Sequence, residues 1–213
     1  MPKQFGVPDE VIQSVLARKE KPSAYSPYLS PIHGKHVIGI NAAFMIGSWI
    51  DILFFGDGGF YWNNKAEICD FPNLRVTCNP NMIRRPGVYG VKYVPRDSSH
   101  PMGITTRKDR VSWNKNSGAS AINLAYHLGV KRIFLLGFDM KRAPDNVAEH
   151  WHSVYREQKE SRKVPHLPYK KHLPSFGPIA NDAKRLELEI INVGLGSAIT
   201  QFKKMTLEEA LKL

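Results

Sequence analysis

The pattern of apolar and polar positions is clearest between residues 114 and 140, NKNSGASAINLAYHLGVKRIFLLGFDM. Apolar residues recur at helical spacing in its first half and predict an amphipathic helix. Asn116 or Ser117 is suited to cap the first turn, and Gly129 is placed to end the helix in a left-handed conformation. Residues 133–136 then form a continuous apolar run, typical of a strand covered on both faces. This unit therefore predicts a helix that leads into a buried strand.

Similar apolar runs predict four further strands. They are HVIGIN, DILFFGD, LRVTCNP and LEIINV. Helices are predicted over residues 8–20 and 176–187 and at the end of the chain, where Thr206 and Glu209 form a capping box. Strands that alternate with helices indicate an α/β fold with a doubly wound, mostly parallel, Rossmann-like sheet. Without an internal repeat or a second domain, residues 1–213 are predicted to form one domain.

The remaining segments have a weak apolar pattern. Residues 1–34 are predicted to form a helix followed by a proline-rich loop. Residues 80–115 are rich in Arg, Pro and Gly, and we expect a strand pair in GVYGVKYV and otherwise a mobile loop. Residues 141–175 contain four histidines and four prolines, and a segment of this length without a core-facing pattern is a candidate lid.

The composition limits the size of the core and the cellular compartment in which we expect the protein. With 213 residues, of which 42% are hydrophobic, the chain can bury one substantial core. Two cysteines, Cys69 and Cys78, are too few for a disulfide framework, so both are expected to be free thiols in a reducing compartment. The N-terminus lacks the pattern of a secretory signal, and no apolar run is long enough for a membrane span. These features predict a cytoplasmic protein and leave a homo-oligomer open.

The net charge indicates what kind of partner the protein binds. The net charge is +11, and residues 75–132 hold eleven Lys and Arg against two acidic residues. Such a bias favours an anionic partner, which includes a nucleotide, a phosphorylated acceptor and DNA. A soluble basic surface is the alternative. No recognition helix, zinc finger or RNA-binding signature accompanies the charge.

Candidate chemistry lies where predicted strands end. Four of them end in a polar residue, namely Asn41, Asp57, Asn79 and Asp139. The carboxyl ends of parallel strands share one edge of a sheet, where ligand sites gather. Asn and Asp also favour such positions because they form turns, although turn formation explains a single case more readily than four.

The sequence Gly56-Asp57-Gly58-Gly59 is comparable to a phosphate-binding loop. It matches neither G-x-G-x-x-G nor a P-loop, and a tight turn is an equal explanation. An acid at this position would repel phosphate unless a metal lies between them. Asp57 is therefore a candidate for binding a metal or a sugar hydroxyl.

Asn116-Ser117-Gly118 opens the predicted helix. Its backbone N–H groups and hydroxyl suit a phosphate or a ribose, and an ordinary helix cap is the alternative.

His150 and His152, with Tyr155 nearby, are the most reactive-looking group of the candidate lid. A histidine near its ordinary pKa can act as a general base on an acceptor hydroxyl. With Asp57 or Asp139 it could instead bind a metal. Solvent-facing histidines in a polar loop are the alternative.

Several segments resemble a known superfamily. They are GINAAF, ILFFGDGGFY, NSGASAINLAYHLGVKRIFLLGFDM, the His-Trp-His element and INVGLGSAITQFKKMTLEEAL. They are similar to phage-encoded and bacterial proteins of the Rossmann-like group that joins bacterial sialyltransferases with the 6-hydroxymethylpterin diphosphokinase-like family. The resemblance covers roughly residues 35–213 and is strongest at 114–140.

The resemblance implies roles for individual residues. Asn41 matches an asparagine that contacts the nucleotide, and Ser117 with Gly118 matches a helix start that does the same. The general base of the family is a lid histidine, which corresponds to His150 or His152. Lid tyrosines that steady the leaving phosphate have counterparts in the tyrosines at 155 and 169. The family's Gly-x-Gly-Pro-Ser donor loop has no counterpart before residue 36.

The resulting hypothesis is a glycosyltransferase that uses a CMP- or UDP-linked sugar without a metal. Asn41, Asp57 and Ser117, with their neighbours Gly58, Asn79, Asn116 and Gly118, would hold the donor. A magnesium-dependent pyrophosphokinase, with Asp57 and Asp139 on the metal, is the first alternative. A non-catalytic nucleotide- or nucleic-acid-binding protein is the second. The host cytoplasm is the expected location if the protein is phage-encoded.

Overall fold

The computed structural model describes residues 2–83, 85–141 and 169–213. Within them, the chain forms helices and two small parallel sheets, which confirms an α/β fold. The strands in the described residues are β1 (Ile38–Ile40), β2 (Ile52–Phe55), β3 (Leu74–Thr77), β4 (Val91–Tyr93), β5 (Arg132–Leu136), β6 (Glu189–Val193) and β7 (Lys203–Met205). The first sheet has the order β1-β2-β3-β4 and the second the order β5-β6-β7.

Helices connect most of these strands. They are α1 (Asp9–Leu16), α2 (Gly58–Asn63), α3 (Lys65–Asp70), α4 (Pro80–Ile83), α5 (Ser117–His127), α6 (Tyr169–His172), α7 (Phe176–Arg185) and α8 (Leu207–Leu211). Short 3-10 helices cover Pro2–Phe5, Pro22–Ile32, Asn41–Ile46 and Leu173–Ser175. The capping box of Thr206 and Glu209 is confirmed, as is the left-handed Gly129 (φ 85°) after α5. None of the helices in the described ranges is long and apolar enough to cross a membrane.

Helix α5 holds the two sheets side by side. Ala119 and Ile122 pack in one apolar cluster with Leu135 of β5, and Ala121 packs in another with Phe54 of β2. In the described residues no ladder of hydrogen bonds joins β1 to β5. The sequence predicts one apolar face for α5, but the apolar residues of this helix pack in two separate clusters, one next to each sheet.

Three local predictions were wrong. GVYGVKYV does not form a strand pair, because only Val91–Tyr93 is a strand and it pairs in parallel with β3. The proline-rich segment forms the 3-10 helix Pro22–Ile32, which buries Tyr25 and Leu29 in the first core. In β5 only Leu135 is buried, because β5 is an edge strand of the second sheet rather than a covered central one.

The expected mobile loop before α5 is held in place by buried side chains, so that prediction was also wrong. The amide of Asn123 accepts hydrogen bonds from the N–H groups of Thr105 (3.0 Å) and Ser112 (2.8 Å) and donates to the Thr105 carbonyl. Asn114, also buried, accepts from Gly103 N (2.7 Å) and donates to two carbonyls. Buried polar side chains therefore order this segment, together with Ile104 and Val111, which pack in the two apolar clusters of α5.

Asp97 belongs to the same network. Its carboxylate accepts hydrogen bonds from Thr105 Oγ1 (2.6 Å) and from Ser99 N and Oγ (3.1 and 2.7 Å). Burial raises the pKa of this carboxyl, but the hydrogen bonds from Thr105 and Ser99 outweigh burial and hold it well below its usual range. Asp97 is therefore a buried, ionised anchor.

Candidate functional site

Three sequence-predicted residues share one edge of the first sheet. Asn41, Asp57 and Asn79 follow β1, β2 and β3, which lie next to one another and run in parallel. Asn41 begins the 3-10 helix after β1, Asp57 caps α2, and Asn79 precedes α4. The predicted gathering of strand ends is therefore present for this sheet.

A pocket of about 290 Å³ lies at the ends of β2 and β3. Its lining consists of Asp57, Gly58, Gly59, Trp62, Asn79, Asn81, Met82 and Arg85. The lining combines one carboxylate, one guanidinium, two amides and an indole face. This mixture suits a small ligand that has both polar groups and a flat apolar surface.

Short-range hydrogen bonds order the walls of the pocket. Asp57 Oδ1 accepts from Gly59 N (2.8 Å), and Asn79 Oδ1 accepts from Asn81 N (3.0 Å). A Cβ on Gly58 would lie 3.2 Å from Asn79 Nδ2, so glycine keeps these two strand exits close together. Asp57 and Asn79 therefore form local turns, as Asn and Asp often do at strand ends. Both residues also line the pocket.

The first turn of α5 is occupied by its own cap. Asn116 Oδ1 accepts from the N–H groups of Gly118 (2.9 Å) and Ala119 (3.4 Å). Ser117 Oγ accepts from Gly56 N (3.1 Å), which ties the start of α5 to the end of β2. A Cβ on Gly118 would lie 2.7 Å from the Phe138 ring, which follows β5. Ser117 and Gly118 therefore join the two sheets, and the N–H groups of Gly118 and Ala119 are occupied by the Asn116 cap.

Five buried polar atoms in the described residues have no hydrogen-bond partner. They are Asn41 Oδ1, Arg75 Nε, Arg96 Nε, Asn116 Nδ2 and Asn192 Nδ2. None of these residues lines the pocket of Asp57, and their positions are spread over both sheets and the start of α5. Most buried polar groups find a partner, so these atoms are exceptions.

Left-handed backbone conformations gather in the same places. Asn41 (φ 50°), Asn114 (φ 55°), Lys115 (φ 53°) and Met140 (φ 49°) are non-glycine residues with positive φ at strand exits or before α5. Such conformations persist only where the surrounding structure enforces them, and they are frequent at functional sites.

Arg96 is a part of this region that the sequence did not indicate. Its guanidinium lies 3.8 Å from the centre of the Trp113 ring and donates to the Gly56 carbonyl (3.1 Å). Burial raises the pKa of the nearby Cys78 thiol, and the charge of Arg96 opposes that rise. No spacing in the sequence links these residues, because the fold brings them together from separate loops.

The other predicted residues are placed as follows. Asp139 follows β5, and its carbonyl accepts from Ala198 N (2.8 Å), but it does not line the pocket of Asp57. Within the described ranges no three His, Cys, Asp or Glu side chains form a group that could hold a metal. His150, His152 and Tyr155 lie outside the described residues, as does most of the predicted lid. Cys69 and Cys78 are free thiols.

Several of the eleven Lys and Arg residues between positions 75 and 132 stabilise the fold. Arg75 donates to two carbonyls of α3, and Arg96 stacks on Trp113. Arg107, Arg110 and Arg132 pair with Asp97, Asp109 and Glu189. Five of the eleven basic residues therefore have partners within the protein, and three of these partners are carboxylates that offset the positive charge.

Comparison with known proteins does not place the chain: no family model, no curated protein and no solved structure matches it.

Proposed function

We propose that the protein is a nucleotide-sugar-dependent glycosyltransferase with a Rossmann-like, doubly wound arrangement of its two parallel sheets. The observation that supports this proposal best is the pocket at the ends of β2 and β3. There, Asp57, Gly58 and Asn79 meet Trp62 and Arg85. Ligands of open parallel sheets bind at this edge.

The residues that line the pocket suit the nucleoside part of a nucleotide-sugar donor. The indole of Trp62 offers a surface on which a base stacks, and Asn81 offers an amide to its edge. One oxygen of Asp57 caps α2, so the second is left for a ribose hydroxyl. Arg85 offsets the charge of a phosphate. Because about 290 Å³ is at the lower end of small-molecule pockets, the sugar would extend along the edge of the sheet beyond it.

The reaction in this proposal is a direct displacement. An acceptor hydroxyl loses its proton to a general base and attacks the anomeric carbon, whose bond to the nucleotide phosphate breaks. His150 or His152 is the base predicted from the sequence, and both lie outside the described residues. Asp139 is a further carboxylate at the end of β5.

Thermal unfolding with CMP, CDP, UDP and ATP, each with and without Mg²⁺, tests the proposal. A cytidine or uridine nucleotide should raise the melting temperature without metal, and saturation at 100 times Kd corresponds to about 2.7 kcal/mol. Asp57→Asn should weaken this response while preserving the cap, because Asn caps as well as Asp. Asp70→Asn, an exposed carboxylate outside the pocket, is the matched control.

Two other outcomes would replace the proposal. A response that requires ATP and Mg²⁺ together would indicate the pyrophosphokinase reading. Salt-dependent DNA binding without any nucleotide response would indicate a non-catalytic nucleic-acid-binding protein.

A further inference from the structure

The turn before β4 presents an aromatic side chain to solvent. Tyr89 is 71% exposed, and no other large hydrophobic side chain in the described ranges is as exposed. It lies between Gly87 (φ 86°) and Gly90 (φ 65°), whose left-handed backbone forms the turn. A tyrosine in this position offers the face of its ring to a partner.

Buried contacts hold this turn in place. The hydroxyl of Tyr61, which is fully buried, donates to the Gly87 carbonyl (3.3 Å), and the backbone of Tyr89 contacts the same hydroxyl. Val88, between Gly87 and Tyr89, packs against the first apolar core. Because the backbone is already fixed, a partner that binds the Tyr89 ring does not have to order the turn.

Two cations lie beside the same turn. Lys65 Nζ lies 5.5 Å from the centre of the Trp62 ring, and a Cβ placed on Gly87 would be 3.2 Å from this Nζ. Arg85, which is exposed, lines the pocket together with Trp62. In the part of the chain that the structure describes, neither Lys65 nor Arg85 forms an ion pair, unlike three of the arginines described above. Their charges are therefore available to an anion from outside the protein.

The acidic side chains of α3 point away from Lys65. A helix turns by about 100° per residue, so Glu67 and Asp70 project from the far side of α3 relative to Lys65. Asp57 faces the pocket, where one of its oxygens caps α2. Two cations and two aromatic rings thus form an aromatic–basic surface, which consists of Trp62, Lys65, Arg85 and Tyr89.

We infer that the aromatic–basic surface binds single-stranded nucleic acid. Proteins that bind single strands combine basic side chains, which contact the phosphates, with aromatic rings on which unpaired bases stack. In a duplex the bases stack on one another, so the exposed ring of Tyr89 favours the single strand. The net charge of +11 complements such a polyanion. Under the proposed function, on which this role rests, the strand would be the acceptor, because Trp62 and Arg85 also line the donor pocket.

Fluorescence anisotropy with a labelled oligothymidylate measures this binding, and a duplex of the same length is the comparison. The single strand should bind the unmodified protein more tightly than the duplex does. Tyr89→Ala should weaken this binding about tenfold, as expected when one base loses its stacking partner. Tyr89→Phe keeps the ring and should bind as the unmodified protein does. Both variants change an exposed side chain, so their melting temperatures should stay unchanged.

Lys65→Gln tests the charge separately. Loss of one phosphate contact should reduce the slope of log affinity against log salt concentration by about 0.7. Lys92→Gln is the matched control, because it removes the same charge from β4 but on the other face of the first sheet. The register partner of Lys92, Val76, packs in an apolar cluster with α5, whereas Val91 packs against the first core. The salt slope of Lys92→Gln should therefore equal that of the unmodified protein.

The inference is overturned if the single strand does not bind, if the duplex binds as tightly, or if Tyr89→Ala binds as well as Tyr89→Phe. Equal salt slopes for Lys65→Gln and Lys92→Gln would also overturn it. Nucleotide-induced thermal shifts separate this result from the proposed function, because neither Tyr89 nor Lys65 lines the pocket. Single-strand binding without a nucleotide response would leave the inference standing and remove the glycosyltransferase proposal. A nucleotide response without single-strand binding would do the reverse.

Discussion

Asparagines whose side chains have buried atoms differ in hydrogen bonding between two regions of this molecule. In the segment before α5, the amides of Asn114 and Asn123 are paired through both their oxygen and their nitrogen. At the sheet edges, Asn41 and Asn192 each retain a buried atom without a partner. Asparagine amides thus stabilise the segment before α5 through hydrogen bonds, whereas those of Asn41 and Asn192 keep one polar atom unpaired. The two regions differ in whether each amide atom finds a hydrogen-bond partner.

Asn114 and Asn41 allow a closely matched test of this comparison. Both have a left-handed backbone, with φ of 55° and 50°, so glycine fits either position without backbone strain. Asn114→Gly leaves the N–H and carbonyl of Gly103 unpaired. We expect it to lower the free energy of unfolding by about 3 kcal/mol, because each buried group without a partner costs about 1–3 kcal/mol. Urea titration provides the measurement, and a loss as small as that of Asn41→Gly would contradict the comparison.

Asp97 gives the next largest effect, with a defined pH dependence. Because its folded-state pKa is lowered, Asp97 stabilises the protein above the ordinary value of 3.8, and this contribution is lost as the pH falls below it. Asp97→Asn should cost about 2 kcal/mol at neutral pH, as expected for hydrogen bonds to a buried charge.

Unfolding free energies at neutral and acidic pH would show the sign of the Asp97 effect. The difference between the unmodified protein and Asp97→Asn should shrink below the ordinary carboxyl pKa. Asp109→Asn, an exposed carboxylate of the same segment, should change stability little. A difference that grows on acidification would show that Asp97 is not an ionised anchor.

Asn41→Gly should give the smallest change in stability and the more informative change in binding. Relief of the left-handed strain and the added freedom of the unfolded chain oppose each other, so the net effect should be within about 0.5 kcal/mol. If Asn41 contacts a nucleotide, the thermal shift caused by CMP or UDP should nevertheless fall. An unchanged shift would assign Asn41 to the turn alone.

The sequence was informative where chemistry is local. The sequence predicted a helix cap at Asn116 or Ser117, the end of α5 at Gly129 and the capping box of Thr206 with Glu209, because each depends on residues within one or two turns. Five of the seven strands in the described residues (β1, β2, β3, β5 and β6) were also found, since short apolar runs between turn residues mark them. The polar strand β7 was not predicted, and β4 was expected in a strand pair. Asp57 and Asn79 could be placed at one edge because adjacent parallel strands end together.

Other features depend on contacts between distant segments. The approach of Trp62 and Lys65 to Gly87 joins separate segments of the chain. The same holds for Arg96 on Trp113 and for the anchoring of the segment before α5 through Asn123. The polar composition of that segment predicts a mobile loop, because composition does not reveal whether a polar group will find a buried partner.

The sequence by itself determined the alternation of strands and helices, the helix caps, the free cysteines and the polar residues at strand exits. These follow from backbone propensity, apolar periodicity and turn chemistry, which act over a few residues. Only the tertiary structure decided that the strands form two sheets, which asparagines are paired, and which residues line the pocket. Pairing and burial depend on neighbours from other parts of the chain, and a single sequence does not specify those neighbours residue by residue.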